Sequence, residues 1–386
     1  MRGMRAIRGA LALLAVSLLA PAGASAYPDS PRDAIVSLGD SYISGEAGRW
    51  QGNSINLTGD RDGTDRAATC STPVTCMYDA GSVYVNGTDA NGCHRSDVAE
   101  ILGAAIPADL KVNLACSGAE TANLLHTTNG GQSFRGEAPQ ANQLAYIAAA
   151  RRVKLIAVSI GGNDLGFASL VTACLQAYLT FAPPCKTTQE KPFLQSFIPV
   201  LGRVDAVLKT VRGVMRATGY APDSYRLVVQ SYPSVLPRAS ENRYAERDPV
   251  RSAGGGCPVY DSDSDWARDE VVPRIARGIR AVALANGAQF LDLRDAFQGR
   301  EFCSESASLV GVGGSPAPDA AVSEWGRFLN QASLTEGEIQ ELFHPNAFGQ
   351  AALARCLTLI WGQTGPESRC TNQPGQGPAG MQLTAP

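Results

Sequence analysis

The sequence predicts an α/β fold in which helices cover both faces of a mostly parallel sheet, giving three layers in a single domain with inserted loops. Two observations predict this class. Short apolar runs such as residues 155–160 lack a polar alternation, which is typical of strands buried on both faces. Segments with helical spacing, such as residues 140–152, separate these runs, and such an alternation favours parallel strands.

The predicted elements follow one another along the chain. Apolar runs bounded by glycine or polar residues are the predicted strands: residues 34–38, 111–115, 155–160, 225–230 and 290–293. Segments with helical spacing are the predicted helices: residues 95–105, 140–152, 193–218, 265–286 and 345–361. Pro345 suits the first turn of the last helix, where its missing N–H costs no hydrogen bond. Sites in this fold class lie beyond the carboxyl ends of strands, so residues that follow strands are the candidates for chemistry.

Three stretches depart from this alternation. Residues 48–92 are rich in Gly, Asn, Asp and Thr, and we expect them to form an inserted loop region that roofs the site. Residues 304–333 are a long irregular connection. Residues 371–386 are rich in Pro, Gly and Gln, a composition that predicts a mobile tail. The main domain is therefore predicted to span residues 27–370.

The N-terminus has the layout of a secretory signal peptide. Three arginines precede an apolar run over residues 10–20, and Pro21 and the small residues 24–26 follow it. The apolar run is shorter than the roughly 20 residues that a spanning helix needs, which disfavours an uncleaved membrane anchor. We expect cleavage of residues 1–26 after Ala26, export of the mature chain, and no transmembrane segment in it.

Composition limits the partners and the chemistry. The 33 basic and 36 acidic residues give a formal charge of −3, and loss of the signal arginines lowers it to −6, which argues against nucleic acid as a partner. With three histidines in all, a three-histidine zinc site would use every one. We expect no metal, no cofactor and a monomer.

All ten cysteines lie in the mature part, and an even number in an exported chain favours disulfides. No pair has the C-x-x-C spacing of a zinc ribbon or a thioredoxin-like site. Other connectivities stay open, and pairing between neighbours along the chain is the simplest hypothesis: Cys70–Cys76, Cys93–Cys116, Cys174–Cys185, Cys257–Cys303 and Cys356–Cys370.

Two motifs carry candidates for nucleophilic chemistry. Ser41, in Gly-Asp-Ser-Tyr over residues 39–42, follows the first strand, where its hydroxyl and backbone N–H can both be exposed. The alternative is an ordinary turn that caps a helix. His344, in Phe-His-Pro-Asn over residues 343–346, is the natural base for a serine proton, although a histidine at a helix start can also have no role.

Two further motifs offer hydrogen-bond donors after strands. Residues 161–164 are Gly-Gly-Asn-Asp, and the Asn163 amide can donate to an oxygen on which negative charge develops. Residues 116–119 are Cys-Ser-Gly-Ala, and the Gly118 N–H is a second such donor. Each motif taken alone is equally consistent with a plain turn.

Together and in this order, the four motifs resemble the SGNH hydrolase superfamily, the GDSL esterases and lipases, over about residues 34–361. The family's invariant residues fall on Ser41, Gly118, Asn163 and His344. The chain is most similar to the secreted actinobacterial members, which share the Cys-x-Arg-Ser stretch found at residues 93–96. The resemblance implies a flavodoxin-like α/β/α fold and a secreted serine esterase or lipase. It also implies that the backbone N–H of Ser41 joins the two donors above in an oxyanion hole.

The resemblance implies three of the disulfides, Cys93–Cys116, Cys174–Cys185 and Cys257–Cys303. It leaves one catalytic position open. The family usually has Asp three residues before the histidine, and this chain has Glu341. Either Glu341 is the third member of a triad, or a backbone carbonyl orients His344 in a Ser–His dyad, as in some relatives.

Three kinds of function remain open at this point. The first is hydrolysis of small-molecule or lipid acyl esters through an acyl-enzyme. The second is phospholipase A activity or acyl transfer at the same site. The third is a catalytically silent secreted binding protein. Tyr42, Trp50 and Phe167 lie near motif residues and are candidates for lining an acyl pocket, whereas His94 and His126 have no motif partner.

Overall fold

The computed structural model describes residues 32–55, 61–72, 75–329 and 339–385. The predicted signal peptide, residues 1–26, lies outside the described residues. The chain from Arg32 onward forms a single compact unit. In that described part, no helix combines the length and apolar character that crossing a bilayer requires.

A seven-stranded sheet runs through the middle of this unit in the order β4-β1-β5-β6-β7-β8-β9. Neighbouring strands are parallel except that β9 is antiparallel to β8. The strands, including the separate hairpin β2–β3, are β1 Asp33–Gly39, β2 Ala68–Thr72, β3 Thr75–Tyr78, β4 Leu110–Asn113, β5 Arg152–Ser159, β6 Arg226–Gln230, β7 Gln289–Asp292, β8 Glu367–Thr371 and β9 Gln382–Thr384. This mostly parallel sheet confirms the predicted fold class.

Helices connect the strands and cover the sheet. They are α1 Ser41–Ser44, α2 Glu100–Gly103, α3 Thr121–Leu124, α4 Gln140–Ala150, α5 Phe167–Leu179, α6 Lys186–Ala217, α7 Val250–Ala253, α8 Asp261–Trp266, α9 Val272–Ala285 and α10 Ala347–Trp361. The central strands β1 and β5 are buried along almost their whole length, which explains their continuous apolar sequences. The strand order reverses at β1, between β4 and β5, and this is the point where an open α/β sheet leaves a crevice for a site.

Several elements differ from the sequence prediction. The helix predicted over 95–105 is only the single turn of α2, because Ser96 instead forms a bridge with Tyr84 of the insertion. The helix predicted over 265–286 is interrupted by a π-helical turn, Ala267–Val271, directly before the turn that contains Pro273. Pro345 precedes the last helix instead of lying in its first turn, because Asn346 is the N-cap.

The C-terminal tail also differs from its prediction. Residues 371–386 were expected to be mobile, but they contain β9, which extends the sheet by pairing with β8. Met381 is buried and Leu383 packs against the core, so these two side chains anchor a segment whose composition is otherwise polar.

The ten cysteines form five disulfides between neighbours along the chain: Cys70–Cys76, Cys93–Cys116, Cys174–Cys185, Cys257–Cys303 and Cys356–Cys370. Two of them lie close to the site. Cys93–Cys116 joins the end of the insertion to the loop after β4, and Cys174–Cys185 joins α5 to the start of α6. Cys356–Cys370 ties β8 to α10.

Candidate active site

Ser41 is the first residue of α1, directly beyond the carboxyl end of β1. Gly39 ends the strand with a φ of 149°, and a Cβ at this position would lie 2.0 Å from the carbonyl oxygen of Ser159 on β5. Only glycine lets the chain turn this close to the neighbouring strand. Asp40 caps α1, and its Oδ1 accepts from the Tyr42 N–H at 3.2 Å. The turn thereby holds the Ser41 hydroxyl at the end of the sheet.

His344 reaches Ser41 from the loop that leads into α10. Its Nε2 lies 2.7 Å from Ser41 Oγ. Asn346 caps α10 by accepting from two N–H groups of the first turn at 3.0 and 3.1 Å. On the other side of the histidine, the Tyr42 hydroxyl donates to the carbonyl oxygen of Phe343 at 2.9 Å. These contacts fix the backbone on both sides of the imidazole.

The second nitrogen of the His344 ring identifies the tautomer. Nδ1 lies 2.9 Å from the carbonyl oxygen of Leu342. A carbonyl oxygen can only accept, so Nδ1 carries the proton and Nε2 presents its lone pair to the Ser41 hydroxyl. This is the arrangement in which a histidine can take the proton of a serine.

Glu341 does not contact this histidine. Its carboxylate accepts a hydrogen bond from Trp50 Nε1 at 2.8 Å and another from the Tyr84 hydroxyl. Glu341 belongs to the short 3₁₀ turn before the His344 loop, and its side chain is buried with Trp50 and Tyr84 on the side of the insertion. Of the two possibilities that the sequence leaves open, the geometry therefore matches a backbone carbonyl next to the histidine and not a Glu341 triad.

The surroundings of His344 lower the pKa of its imidazole below the usual value, chiefly because burial disfavours the charged ring. The negative charge of Glu46 opposes this shift, and the nearby His94 adds to it. The ring is consequently neutral near neutral pH, as a proton acceptor must be.

Three candidate hydrogen-bond donors line the cavity that contains the Ser41 hydroxyl. Ser41, Gly118 and Asn163 line one cavity together with His344. Within the described residues, neither the Ser41 N–H nor the Gly118 N–H donates to a protein acceptor. Asn163 Nδ2 donates to the carbonyl oxygen of Ala119 at 2.9 Å, which uses one of its two hydrogens and leaves the other. Such a group of donors can stabilise an oxyanion.

A chain of hydrogen bonds connects the residue after β1 with the loop after β5. The Gly162 N–H donates to the Tyr232 hydroxyl at 3.0 Å, and that hydroxyl donates to Asp40 Oδ2. Burial raises the pKa of Asp40 to about 7, although its hydrogen bonds from Tyr232 and from the Tyr42 N–H oppose the shift. The residue before Ser41 is thus connected through the Tyr232 hydroxyl to the residue before Asn163.

Comparison with known proteins identifies the family. Residues 81–352 match the model of the GDSL-like lipase/acylhydrolase family. The chain belongs to this family. Membership makes it a carboxylic ester hydrolase, and it confirms the resemblance that the four motifs carry.

The relatives of this GDSL-like protein include two curated lipases. It is 27% identical to a lipase of Streptomyces rimosus over 360 residues, which cover 91% of this chain and 96% of that one. It is 26% identical to lipase 1 of Streptomyces coelicolor over 238 residues, which cover 61% of this chain and 65% of that one.

Two of the solved structures with a similar fold are also Streptomyces proteins. The crystal structure of phospholipase A1 from Streptomyces albidoflavus NA297 is similar with a TM-score of 0.47 and 22% identity, covering 83% of this chain and 95% of that one. The crystal structure of an extracellular lipase from Streptomyces rimosus is similar with a TM-score of 0.44 and 21% identity, covering 82% and 94%.

The cavity of this GDSL-like protein has a volume of about 350 Å³ and two unlike ends. The polar end contains Ser41, Gly118, Asn163 and His344. The other end is apolar, and its walls are side chains of α5, α8 and α9: Leu170, Val171, Leu175, Trp266, Val272 and Ile275. Tyr42 and Phe167, two candidates for an acyl pocket, line it as well. The sequence does not identify these helical residues as part of the cavity, because they are ordinary apolar positions far from every motif.

The described part of the insertion, residues 48–92, contributes no residue to the cavity lining. It was expected to roof the site, but it lies beside the His344 loop instead. Trp50, a candidate for the acyl pocket, is fully buried there and bonded to Glu341. Tyr84 of the insertion bonds the same carboxylate.

The remaining histidines lack a catalytic position. His94 is buried, lies with Nδ1 2.6 Å from Glu46 Oε1 and stacks on the Tyr84 ring with the ring centres 4.5 Å apart. His126 begins a 3₁₀ turn, where its ring nitrogen accepts from the Thr128 N–H. Neither His94 nor His126 lines the cavity that contains Ser41.

One cluster among the described residues has the composition of a metal site: Cys174, Cys185 and Asp263. The two cysteines are joined in a disulfide, which removes their thiolates as ligands. Asp263 instead accepts the N–H groups of Cys185 and Lys186 at 2.9 and 3.0 Å and so caps the start of α6.

Proposed function

We propose that this protein is a secreted serine esterase or lipase that hydrolyses acyl esters through an acyl-enzyme on Ser41. The observation that carries the proposal is the 2.7 Å contact between Ser41 Oγ and the unprotonated Nε2 of His344. Nucleophile, base and donors line one cavity whose far end is apolar. That combination suits an ester with a hydrocarbon acyl group.

The proposed reaction has two halves. In the first, Ser41 Oγ attacks the ester carbonyl carbon while His344 Nε2 takes the hydroxyl proton, and then returns it to the departing alcohol. In the second, His344 takes a proton from water, the resulting hydroxide attacks the acyl-enzyme, and the proton returns to Ser41 as the acid leaves. In both halves the negative charge on the carbonyl oxygen is held by the N–H groups of Ser41 and Gly118 and by the Asn163 amide.

The acyl chain is proposed to occupy the apolar end of the cavity. Leu170, Trp266 and Ile275 are buried side chains on three different helices that face this space. Displacing water from such walls stabilises a bound hydrocarbon chain by about 25 cal/mol for each Å² of apolar surface covered. A chain longer than acetyl is therefore expected to bind better.

Secretion belongs to the same proposal. It is supported by the N-terminal layout described above and by five disulfides, which persist in an oxidising compartment. We propose that cleavage after Ala26 releases a mature chain whose catalytic domain is a monomer without cofactor. Sequencing the N-terminus of the exported protein tests the cleavage site, and a start at Tyr27 is expected. A sedimentation experiment on the same protein tests the monomer.

A panel of p-nitrophenyl esters of graded chain length, together with a phospholipid, tests the activity. Ser41→Ala is expected to abolish hydrolysis of all of them and to keep the thermal unfolding temperature. Ser224→Ala, which changes an exposed serine far along the chain, is the matched control. Hydrolysis that survives in Ser41→Ala excludes the assignment, and absence of turnover of every ester by the wild type favours a binding protein. Adding an alcohol acceptor to the same assay detects acyl transfer.

A further inference from the structure

A positively charged side chain stands at the polar end of the cavity. Arg135 lines the cavity together with Ser41 and Gly118. Its Nε donates to the carbonyl oxygen of Ser117 at 3.0 Å, and its Nη1 donates to that of Asn91 at 3.3 Å. These two bonds direct the third nitrogen, Nη2, towards the oxyanion turn, where it would lie 3.7 Å from a Cβ built on Gly118. The guanidinium is thus held beside a proposed oxyanion donor.

This guanidinium has no acidic partner in the part of the chain that the structure describes. Glu137, the carboxylate on the same hairpin, is already paired with Arg95, with Nη2 and Oε2 2.5 Å apart. Phe134 packs its ring 5.4 Å from the centre of the guanidinium. Arg135 therefore presents an exposed, uncompensated positive charge at the cavity.

The backbone at Arg135 does not explain the choice of residue. Phe134 and Glu137 exchange two backbone hydrogen bonds, and the two residues between them are both left-handed, with φ of 49° at Arg135 and 78° at Gly136. Such a two-residue turn favours Asn-Gly, Asp-Gly or Gly-Gly, and a residue other than Gly, Asn or Asp in this left-handed conformation costs stability. An arginine at this position is therefore costly for the turn, which points to a use for its side chain.

A neighbouring glycine makes room for that side chain. A Cβ at Gly92 would lie 1.9 Å from Arg135 Nη1, so any other residue there would displace the guanidinium. Gly92 immediately precedes Cys93, whose disulfide with Cys116 ties this segment to the Gly118 turn. Gly92 and the Cys93–Cys116 disulfide therefore fix the position of the Arg135 guanidinium relative to the Gly118 turn.

We propose that Arg135 binds a negatively charged group on the alcohol side of the ester, so that the enzyme prefers esters of a phosphodiester head group over neutral ones. This inference rests on the proposed function. We assign the negatively charged group to the alcohol part of the substrate because of the two ends of the cavity. Burying an anion against Leu170 and Ile275 at the apolar end would be costly. With the acyl chain at the apolar end, the part of the substrate that remains near the Gly118 turn is the leaving alcohol. A phosphodiester oxygen there would accept a hydrogen bond from Nη2 of Arg135.

The test compares two soluble substrates with the same short acyl chains, a phosphatidylglycerol and a diacylglycerol, below the concentration at which either aggregates. Arg135→Gln is expected to lower the ratio of kcat/KM for the phospholipid to kcat/KM for the neutral ester by about tenfold or more, since losing a charge-assisted hydrogen bond typically has that size. Arg135→Lys is expected to restore part of the ratio. Arg355→Gln, which removes an exposed charge on α10, is the control and should leave the ratio unchanged.

The outcomes separate this inference from the function on which it rests. An equal fall for both substrates, or no fall for either, overturns the role of Arg135 in binding the anion, because a role in holding the Gly118 turn would affect both. If inorganic phosphate inhibits wild type and Arg135→Gln equally, the anion does not bind at this residue. If the wild type hydrolyses neither substrate nor any other ester, the proposed function itself fails.

Discussion

His344 Nδ1 lies 2.9 Å from the carbonyl oxygen of Leu342, two residues earlier in the chain, and not beside a carboxylate. The carbonyl orients the ring and fixes its tautomer as the acid of a triad does, but it brings no full negative charge to the imidazolium that forms when Ser41 is deprotonated. The negative charge of Glu46 raises the pKa of the ring, although Glu46 makes no hydrogen bond to it in the described residues. The proposed mechanism is therefore that of a Ser–His dyad in which no carboxylate bonds the histidine.

Exchange of Glu341 for Gln tests the dyad directly. Because the Glu341 carboxylate bonds Trp50 and Tyr84, we expect kcat of Glu341→Gln to remain within a few-fold of wild type. The free energy of unfolding should fall by about 1–3 kcal/mol, because buried hydrogen bonds to a charged acceptor are weakened. Enzyme kinetics and chemical denaturation on the same preparation measure the two effects. A fall in kcat of a hundredfold with unchanged stability would restore Glu341 to a triad.

The pH dependence of kcat/KM should report the lowered pKa of His344. The unprotonated ring is the active form, so the rate rises with pH through this pKa, and the inflection is expected below the ordinary histidine value of 6.5. Glu46→Gln removes the negative charge that raises the pKa of His344, so the inflection should move to still lower pH, and the interaction with His94 also lowers this pKa. A profile recorded on a neutral ester checks both. An inflection above 6.5, or a Glu46→Gln shift to higher pH, contradicts the assignment.

Asn163 is expected to act on the rate and not on ground-state binding. Asn163→Asp preserves the shape of the side chain but replaces the donating NH₂ group with an acceptor, so kcat should fall on the order of 10²–10³-fold with KM changed little. Asn163→Ala should show a similar loss, because it also removes the donor. Steady-state kinetics on a short ester separates the two parameters. If Asn163→Asp is as active as wild type, the side chain does not hold the oxyanion.

Asp40 should make stability depend on pH in an unusual direction for an acid. Burial raises its pKa in the folded protein from the ordinary 3.8 to about 7. The folded state therefore binds the proton more tightly than the unfolded state, and this contribution to stability, complete below about pH 4, is lost as the pH rises to 7.

Asp40→Asn removes this titration. Relative to wild type, the variant should become progressively more stable between about pH 4 and 7, the window between the pKa of the carboxyl in the unfolded state and its raised pKa in the folded state. Urea unfolding at several pH values gives the difference. If the difference in unfolding free energy does not depend on pH, or if the wild type gains stability relative to the variant as the pH rises, the pKa of Asp40 is not raised in the folded protein. Asn also keeps the capping oxygen for α1, so loss of the cap does not mask the effect.

The sequence determines the sheet and the positions of most site residues. β1 and β5 are recognisable because both of their faces are buried, which leaves no polar alternation. Ser41, Gly118 and Asn163 could be placed together before any coordinates, because each follows a parallel strand and the carboxyl ends of such strands meet at one edge. The edge strands β8 and β9 were missed, since they are short and mostly polar.

Only the tertiary structure decides which partners the side chains meet. His344 and Glu341 are three residues apart, but the turn between them sends one side chain to Ser41 and the other to Trp50, which is 291 positions away. The apolar end of the cavity is assembled from three helices whose sequences look like ordinary core helices. Arg135 lies at the site because it belongs to a turn with a left-handed backbone, and no local sequence pattern predicts that turn. Local pattern thus determines where backbone elements begin and end, whereas the direction of a side chain depends on packing between segments distant in the chain.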